Sequence, residues 1–424
     1  MKDDFLNFIE KRGLLSQCTD KEGLKRTLEK LTSGYIGFDC TSDSLHVGSL
    51  LPLMILRHFQ NFGNKPIILL GGGTTLVGDP SGKDETRKIL DEKDINLNKK
   101  SLKKIFEKFI SFDSSKKNCA LLVDNYEWLA NLNYINFLRD YGSKFSVNKM
   151  LSLESTKQRL SREQNLSFLE FNYSILQAYD FLELNKEYNC EVQFGGSDQW
   201  GNIISGIDLI KKINKKETYG LTSPLVTTTD GKKMGKTVDG AIWLSEKKLN
   251  VGTFWQYWRN TADEDTFKFL NFFTELNFDE IKNLREKSID INKIKITLAN
   301  EVTKLCHGEE KSKKAEYEAK KIFINKNLDE KSFENCENKI SITNSNTLKV
   351  GLKEILVQLK ICTSNAEAKR LITQGAVKIG EKITKDKDFF ITKDLFTQKI
   401  KNMDKFYLII FVGKKKYGIV ELVS

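Results

Sequence analysis

A short apolar run, Tyr35, Ile36 and Phe38, breaks at Asp39-Cys40-Thr41-Ser42-Asp43-Ser44. It gives way to a helical pattern through Leu50, Leu51, Leu53, Ile55 and Leu56. A strand that turns into a helix start leaves backbone N–H groups and the positive helix end beyond the strand tip, where phosphate binds readily. His46 and Gly48 stand at this entry, followed by Ser49. An imidazole can donate to a phosphate oxygen, and a glycine lets the backbone approach a flat ring closely. The same stretch also reads as a helix-capping turn with an incidental histidine.

Other chemistry-bearing residues are spaced along the chain. Tyr173, Gln177 and Asp180 fall at i, i+4 and i+7 of a helical pattern whose apolar positions are Phe168, Phe171, Ile175, Ala178, Tyr179 and Leu182. They form either a polar outer face or the wall of a small pocket. Gly195-Gly196-Ser197-Asp198-Gln199 follows the strand 191–194 and opens another helix, with an acid able to accept from ribose hydroxyls. Lys232, Lys233 and Lys236 surround the turn Thr229-Asp230-Gly231 and Gly235, where glycine keeps the loop mobile. Such lysines can swing onto a polyphosphate, or simply be solvated. Gly71 to Gly82 is a second glycine-rich run after the strand 66–70; its Gly82-Lys83 is one residue short of P-loop spacing and lacks the following Ser or Thr.

These residues need a frame that brings strand tips together. Strand patterns at 35–38, 66–70, 120–123, 191–194 and 221–226 alternate with helical patterns at 50–56, 97–112, 128–141, 152–160 and 168–182. The alternation predicts an α/β fold, a doubly wound parallel sheet of Rossmann type. Residues 248–325 read as all-α, with Trp255, Tyr257, Trp258, Phe267, Phe269, Phe272 and Phe273 for a core, and His307 as a capping or surface residue. Residues 326–347, rich in Asn, Lys and Ser, read as a flexible linker. The tail 348–424 shows two short helices, a Gly375 stop and basic hairpins, a small α+β domain.

The 424 residues allow two or three domains, and the net charge is +11. The tail holds sixteen Lys and Arg against eight Asp and Glu, a surplus of eight that suits an acidic polymer such as RNA. The basic, aromatic-interleaved 139–150 is open to the same reading or to that of a solvated helix edge. Seven scattered cysteines without a CxxC pair, with three histidines, disfavour zinc and disulfides and fit a reducing cytoplasm. No run reaches membrane-spanning length, and the acidic, amphipathic N-terminus lacks a signal-peptide pattern.

His46-Val47-Gly48-Ser49 resembles the first signature of the class I aminoacyl-tRNA synthetases, with Ser49 where a second His is usual and Cys40 where Pro is usual. Lys233-Met234-Gly235-Lys236-Thr237 resembles their Lys-Met-Ser-Lys-Ser signature, with Gly and Thr at the serine positions. Tyr35, Asp39, Gly78-Asp79-Pro80-Ser81, the Tyr173, Gln177, Asp180 set and Gly195 to Gln199 stand in the order of the bacterial tyrosyl-tRNA synthetases. The resemblance implies ATP-driven attachment of L-tyrosine to tRNA(Tyr). By it, Tyr35 and Asp180 bond the substrate phenol, and Asp79, Tyr173 and Gln177 hold its ammonium. Asp39, Gly48, Ser49, Gly196, Asp198, Gln199 and Lys236 line the adenylate pocket. Thr41 and His46 meet the γ-phosphate side, and Lys233, Lys236 and Thr237 close over pyrophosphate.

The same resemblance implies Mg²⁺ carried in on ATP, with no bound organic cofactor or resident metal. It also implies a catalytic domain over 1–225, a lysine loop over 226–247, an anticodon-side helical domain over 248–325 and a homodimer interface near 125–165. The tail resembles the S4-like RNA-binding domain, which places Lys369 and Arg370 on an RNA-facing helix. Two rivals stand beside this reading. A tryptophan-specific sister enzyme is disfavoured by Tyr35 with Asp180, and a catalytically retired RNA-binding homologue by the intact polar set.

Overall fold

The computed structural model describes residues 4–78, 90–162, 166–227, 234–237, 240–286, 290–321, 333, 336, 338–345, 347–380, 382–399, 405–413 and 416–423, without the side chains of 155, 158, 236 and 237. The chain divides into two compact units, Met1–Ser312 and Lys313–Ser424.

The first unit is organised by a six-stranded sheet with strands β1 (Gln17–Cys18), β2 (Ser33–Asp39), β3 (Lys65–Gly71), β4 (Leu121–Asp124), β5 (Cys190–Gly196) and β6 (Tyr219–Ser223). Their order is β1-β6-β5-β2-β3-β4, parallel except for the antiparallel edge strand β1. β3 is buried along nearly its whole length, which explains its unbroken Pro-Ile-Ile-Leu-Leu run: a central parallel strand is covered on both faces. One face packs Tyr35, Ile67, Leu69 and Val123 against Ile175, Ala178, Phe181, Leu209 and Ile210. Each of the Ile, Leu, Val and Phe side chains contributes about 1.5–3 kcal/mol of burial. After β2 the chain runs through helix α1 (Leu50–Asn61) to β3 on one side, while β5 pairs with β2 on the other. The strand order therefore reverses at β2, and the crevice beyond the tips of β2 and β5 is where doubly wound sheets bind ligands.

Several element boundaries differ from the sequence pattern. The helix read as 97–112 is α3 (Glu92–Phe109); it follows α2 (Gly72–Val77), and Asp91 caps it by accepting the Asp94 N–H at 2.7 Å. The pattern across 128–141 is two helices, α4 (Tyr126–Leu129) and a second at Tyr134–Asp140. The 168–182 pattern is also broken. A Ser167–Glu170 capping box starts the single turn Phe168–Phe171, and α5 (Tyr173–Tyr188) follows, stopped by Asn189 at φ 48°. Helix α6 (Trp200–Asn214) packs beside it.

The helical part of this unit includes α7 (Val251–Arg259), α8 (Asp263–Phe273) and α9 (Ile291–His307). Phe254, Trp258, Phe269 and Phe273 are fully buried and meet edge to face. His307 is a correction to the sequence reading. It is buried, edge-on to Phe254 at 4.7 Å, with neither ring nitrogen hydrogen-bonded, and burial lowers its pKa to about 4. Arg12 ties the N-terminal segment to these helices. Its guanidinium donates to the Asn271 and Thr274 carbonyls at 2.8 Å and to Leu276, capping the end of α8.

The second unit contains a sheet in the order β12 (Lys382–Thr384), β11 (Val377–Ile379), β15 (Phe406–Val412), β16 (Lys416–Val423) and β9 (Lys339–Thr343), with β14 (Gln398–Lys399) also on β15. β10 (Lys349–Gly351) pairs separately with β13 (Phe390–Thr392). Helices α10 (Leu352–Gln358) and α11 (Asn365–Thr373) bury Leu352, Ile355, Leu356, Ala368 and Ile372 in a core shared with Val377, Ile410 and Val420. Gly375 takes φ +69° just past α11, as its position suggested. The stretch 326–347, expected as a linker, contains β9, which pairs in parallel with β16 from Lys339 to Thr343. Its Ile340 and Ile342 alternate with Ser341, a strand pattern hidden by the polar composition around it. Among the described residues no helix is long and apolar enough to cross a membrane.

Candidate active site

At the β2–β5 crevice, β2 contributes Tyr35 and Asp39. Tyr35 is buried, and its hydroxyl has no hydrogen-bond partner. Burial and then the Asp180 charge push the Tyr35 phenol well above its ordinary pKa, so it is a pure O–H here. Asp180, on α5, is 2 % exposed. Its Oδ2 accepts from Asn125 Nδ2 at 2.9 Å and its Oδ1 from Trp128 Nε1 at 2.8 Å. Desolvation dominates and pushes Asp180 up to about 7, opposed by those two donors and helped by the charges of Asp39 and Asp124. A buried hydroxyl donor and a fixed carboxylate acceptor thus lie within each other's field. A ligand phenol, which both donates and accepts, complements that pair.

Further up the crevice Asp39 Oδ1 accepts from Thr74 Oγ1 at 3.1 Å and from Tyr173 Oη at 3.3 Å. Gln177, one turn along α5, accepts from Asn202 Nδ2 at 2.9 Å, and the same amide reaches Gln199 Oε1 at 3.2 Å. Tyr173, Gln177 and Asp180 therefore face the crevice as one wall; the polar-outer-face reading of α5 does not hold. Asp39, Tyr173 and Gln177 surround a region rich in acceptor oxygens, the environment an ammonium requires. Asp79 lies outside the described residues.

The opposite end is built largely of backbone. His46 caps the turn Val47–Ser49, its Nδ1 accepting the Gly48 N–H at 3.0 Å. That bond leaves the proton of the neutral ring on Nε2. Ser49 precedes α1 without a side-chain cap bond. Leu45–Val47 is zipped to 242–244: Val47 N–H to Ile242 O at 2.9 Å, Leu244 N–H to Leu45 O at 2.8 Å. Lys248 adds an ion pair with Asp43 and a 3.0 Å bond to Ser42. Gly235 sits against this turn at φ +103°, where a Cβ would lie 3.0 Å from His46 Nδ1 and 3.1 Å from Gly48 N. Lys233 lies outside the described residues. Lys236 and Thr237 form β7, paired with β8 (Gly240–Ala241), and their side chains are outside the description.

Gly196 ends β5, with the Asp198 carboxylate folded close against it. Asp198 is exposed at the turn Ser197–Gln199 that leads into α6. Thr41 is exposed and lines an open cleft of about 490 Å³ with Ser42, Asp43, Asp94, Asn98 and Lys100. In the second unit, Lys369 and Arg370 are both exposed on α11. Among the described residues no group of His, Cys, Asp and Glu is placed to hold a metal ion.

Sequence reasoning missed the residues that hold this site. Asn125 binds Asp180 through its amide nitrogen, while its oxygen accepts the Gly73 N–H at 2.8 Å. Trp128 and Thr74 complete the frame. The available signal was Asp124-Asn125-Tyr126-Glu127-Trp128, a polar run immediately after a buried strand.

The model for class I tRNA synthetases (W and Y) matches residues 28–324. The chain belongs to that family. The model for the tyrosine–tRNA ligase SYY-like C-terminal domain matches residues 332–420, which include β9. The chain is 47 % identical over 420 residues to the tyrosine–tRNA ligase of Pelagibacter ubique (strain HTCC1062), covering 99 % of each. It is 50 % identical over 419 residues to that of Wolbachia pipientis subsp. Culex pipiens (strain wPip), covering 98 % of this chain and 97 % of the relative. Among solved structures, a C-terminally truncated mitochondrial tyrosyl-tRNA synthetase from Aspergillus nidulans matches with a TM-score of 0.67 at 29 % identity, covering 76 % of this chain and 95 % of that one.

Proposed function

We propose a tyrosine–tRNA ligase in which the observation that carries the amino-acid choice is the buried Asp180 carboxylate beside the unpartnered Tyr35 hydroxyl. L-Tyrosine binds with its phenol between these two groups. Asp79, Tyr173 and Gln177 receive the ammonium end, with Asp39 bonded to Tyr173 at the start of the adenylate pocket, which leaves the substrate carboxylate facing the nucleotide. That carboxylate attacks the α-phosphorus of ATP in line; the bond to the β-phosphate oxygen breaks, giving tyrosyl-adenylate and pyrophosphate. A terminal ribose hydroxyl of tRNA(Tyr) then attacks the activated carbonyl, and AMP leaves with the bonding electron pair.

The chain's own residues position the reactants and stabilise charge. His46 Nε2–H and Thr41 face the triphosphate. Gly48, Ser49, Gly196, Asp198 and Gln199 bound the adenylate, with Asp198 accepting from ribose. Lys233, Lys236 and Thr237 neutralise the departing pyrophosphate. Mg²⁺ arrives on ATP as part of the substrate.

In this reading residues 1–225 carry activation, 226–247 close over pyrophosphate, and 248–325 face the anticodon side of the RNA. The second unit, with Lys369 and Arg370 exposed, grips RNA phosphates. A homodimer is supported by apolar side chains that the single chain leaves in water: Ile135 at 68 % and Phe168 at 69 % exposure, with Tyr134, Val147, Leu160 and Leu169. The work belongs in the cytoplasm, where buried free thiols such as Cys40, Cys190 and Cys306 stay reduced.

The test is ATP–pyrophosphate exchange, followed by charging of tRNA(Tyr). Exchange driven by tyrosine and not by tryptophan supports the reading. Exchange driven by tryptophan overturns the phenol assignment, and RNA binding without exchange overturns catalysis.

A further inference from the structure

One carboxylate behind the phenol pocket contacts no group assigned to a substrate. Asp124, at the tip of β4, accepts the Gly72 N–H at 3.2 Å and the Tyr126 N–H at 3.0 Å through Oδ1. Its Oδ2 receives Lys99 Nζ, from α3, at 2.5 Å. The two side chains are only 16 % and 18 % exposed. Lys99 also lies over the Tyr126 ring, whose hydroxyl donates to Glu92 at 2.9 Å. A Cβ on Gly72 would fall 2.2 Å from Asp124 Oδ1, so the carboxylate is seated against bare backbone.

That backbone is the start of α2, which has no cap from its own preceding side chain. Asp124 and Asn125 supply the cap instead, through the Gly72, Gly73 and Thr74 N–H groups. From this helix Thr74 reaches Asp39, and Thr75 accepts the Cys40 N–H at 2.8 Å. The turn held by Asp124 is thus the turn that places Asp39. Asp124 also faces Asp180 electrostatically, together with Asp39. The groups around Asp180 are Tyr35 and Asp39 on β2, Asp124 and Asn125 at the β4 tip, and Trp128 on α4. Tyr173 lies on its own helix; Lys99 and Glu92 approach Asp124 from α3 and Cys40 from the β2 tip. Without Lys99, Asp124 would be a largely buried carboxylate with no counter-charge, a costly state that relaxes by moving, by taking a proton or by repelling its neighbours.

We propose that Lys99 is a positioning residue of the amino-acid pocket: paired with Asp124, it fixes the start of α2 and shields Asp180 from a second carboxylate. The inference rests on Asp180 being the phenol acceptor. It concerns the tyrosine end first, because Asp124 faces Asp180 and holds the turn that carries Thr74.

The experiment compares Lys99→Met, Lys99→Met with Asp124→Asn, Asp124→Asn alone and Asp180→Asn, in the full chain. The readout is tyrosine-dependent pyrophosphate exchange from pH 6 to 9, with the KM for ATP as internal reference. Lys99→Met is expected to raise the KM for tyrosine about 10- to 100-fold with little change for ATP, and to move the acid limb of kcat/KM to higher pH. Adding Asp124→Asn removes the charge, keeps an oxygen for the Gly72 N–H, and recovers most of the loss. An unchanged tyrosine KM and acid limb in Lys99→Met overturns the proposal, as does a loss the second substitution fails to relieve. If Lys99→Met does not fold, Asp124→Asn alone decides: it should move the limb to lower pH, and an unmoved limb overturns the proposal. Asp180→Asn separates the two readings. A tyrosine KM indifferent to Asp180 removes the phenol assignment itself, whereas a responsive Asp180 with an indifferent Lys99 removes only this inference.

Discussion

At the amino-acid end of the crevice, Asp180 is 2 % exposed and both its oxygens are held by side chains from another element. At the end proposed for the phosphates, Thr41 and Asp198 are exposed, and the segment bearing His46 is held backbone to backbone between 45–47 and 242–244. The contrast follows from what each end must do. A phenol is distinguished from a phenyl ring by one hydroxyl, so discrimination needs acceptors that water cannot satisfy when the hydroxyl is missing. Triphosphate charge moves during the reaction, so groups that meet it must be reachable by a loop and gain strength at the transition state. On the proposed assignment one end is held by side chains and the other is shaped by main chain.

The largest expected effect breaks the end held by side chains. Asp180→Ala removes a charged acceptor and strands the Asn125 and Trp128 donors, together worth about 4 kcal/mol, or roughly 10³-fold in kcat/KM for tyrosine. The rate with phenylalanine should change far less. Measuring exchange with both amino acids checks it; an unchanged ratio would show that selectivity resides elsewhere. At the other end, Lys233→Ala and Lys236→Ala should each slow adenylate formation by about 30- to 1000-fold while leaving equilibrium tyrosine binding near wild type. Single-turnover activation and tyrosine titration separate the two quantities. A parallel loss of both would erase the contrast between the ends.

The comparison also shows what the sequence could convey. Tyr173, Gln177 and Asp180 were legible because helical periodicity puts them on one stripe, and the strand–glycine–helix turns announced the parallel sheet. Asn125, Trp128 and Lys99 were not, because their roles depend on β4 lying beside β3, a pairing that no local pattern encodes. β9 was missed for a different reason. Its partner β16 is some eighty residues away, and its own residues are half polar. His307 was misplaced because a lone histidine near a glycine resembles a cap, whereas its ring is buried against Phe254.

A smaller effect sharpens the backbone-built end. Gly235 combines φ +103° with a tight approach, where a Cβ would crowd His46 and Gly48. Gly235→Ala therefore strains the backbone and pushes the lysine segment off the turn, at about 1–2 kcal/mol. Adenylate formation should slow about 5- to 30-fold, with the KM for tyrosine unchanged. In a His46→Ala background the ring contact is gone while the Gly48 contact and the backbone strain remain, so the added cost should shrink, which a double-mutant cycle reads directly. Equal costs in the two backgrounds would show that the glycine is kept for its φ and not for its approach to the imidazole.

The smallest effect is in pH, and it has opposite signs in function and stability. Asp180 is pushed up to about 7 by burial, from its ordinary value near 3.8. Below that pH the free enzyme carries it protonated, and a protonated carboxyl is a poorer acceptor for the phenol. The tyrosine kcat/KM should therefore rise severalfold through an acid limb near pH 7, and the limb should vanish in Asp180→Asn. Stability runs the other way. Between about pH 4 and 7 the native state binds a proton at Asp180 that the unfolded chain has released, so this group's contribution falls as pH rises across that window and is flat above it. His58 and His307, lowered by burial to about 3 and about 4, act in the opposite direction, losing stability as pH falls below about 6.5. Denaturant unfolding of the wild type against Asp180→Asn cancels the histidines, because both chains carry them. The difference should favour the variant increasingly from pH 4 to 7 and then level off. A difference that does not change with pH would mean that Asp180 is already ionised at pH 4, and the acid limb of the kinetics would then belong to another group.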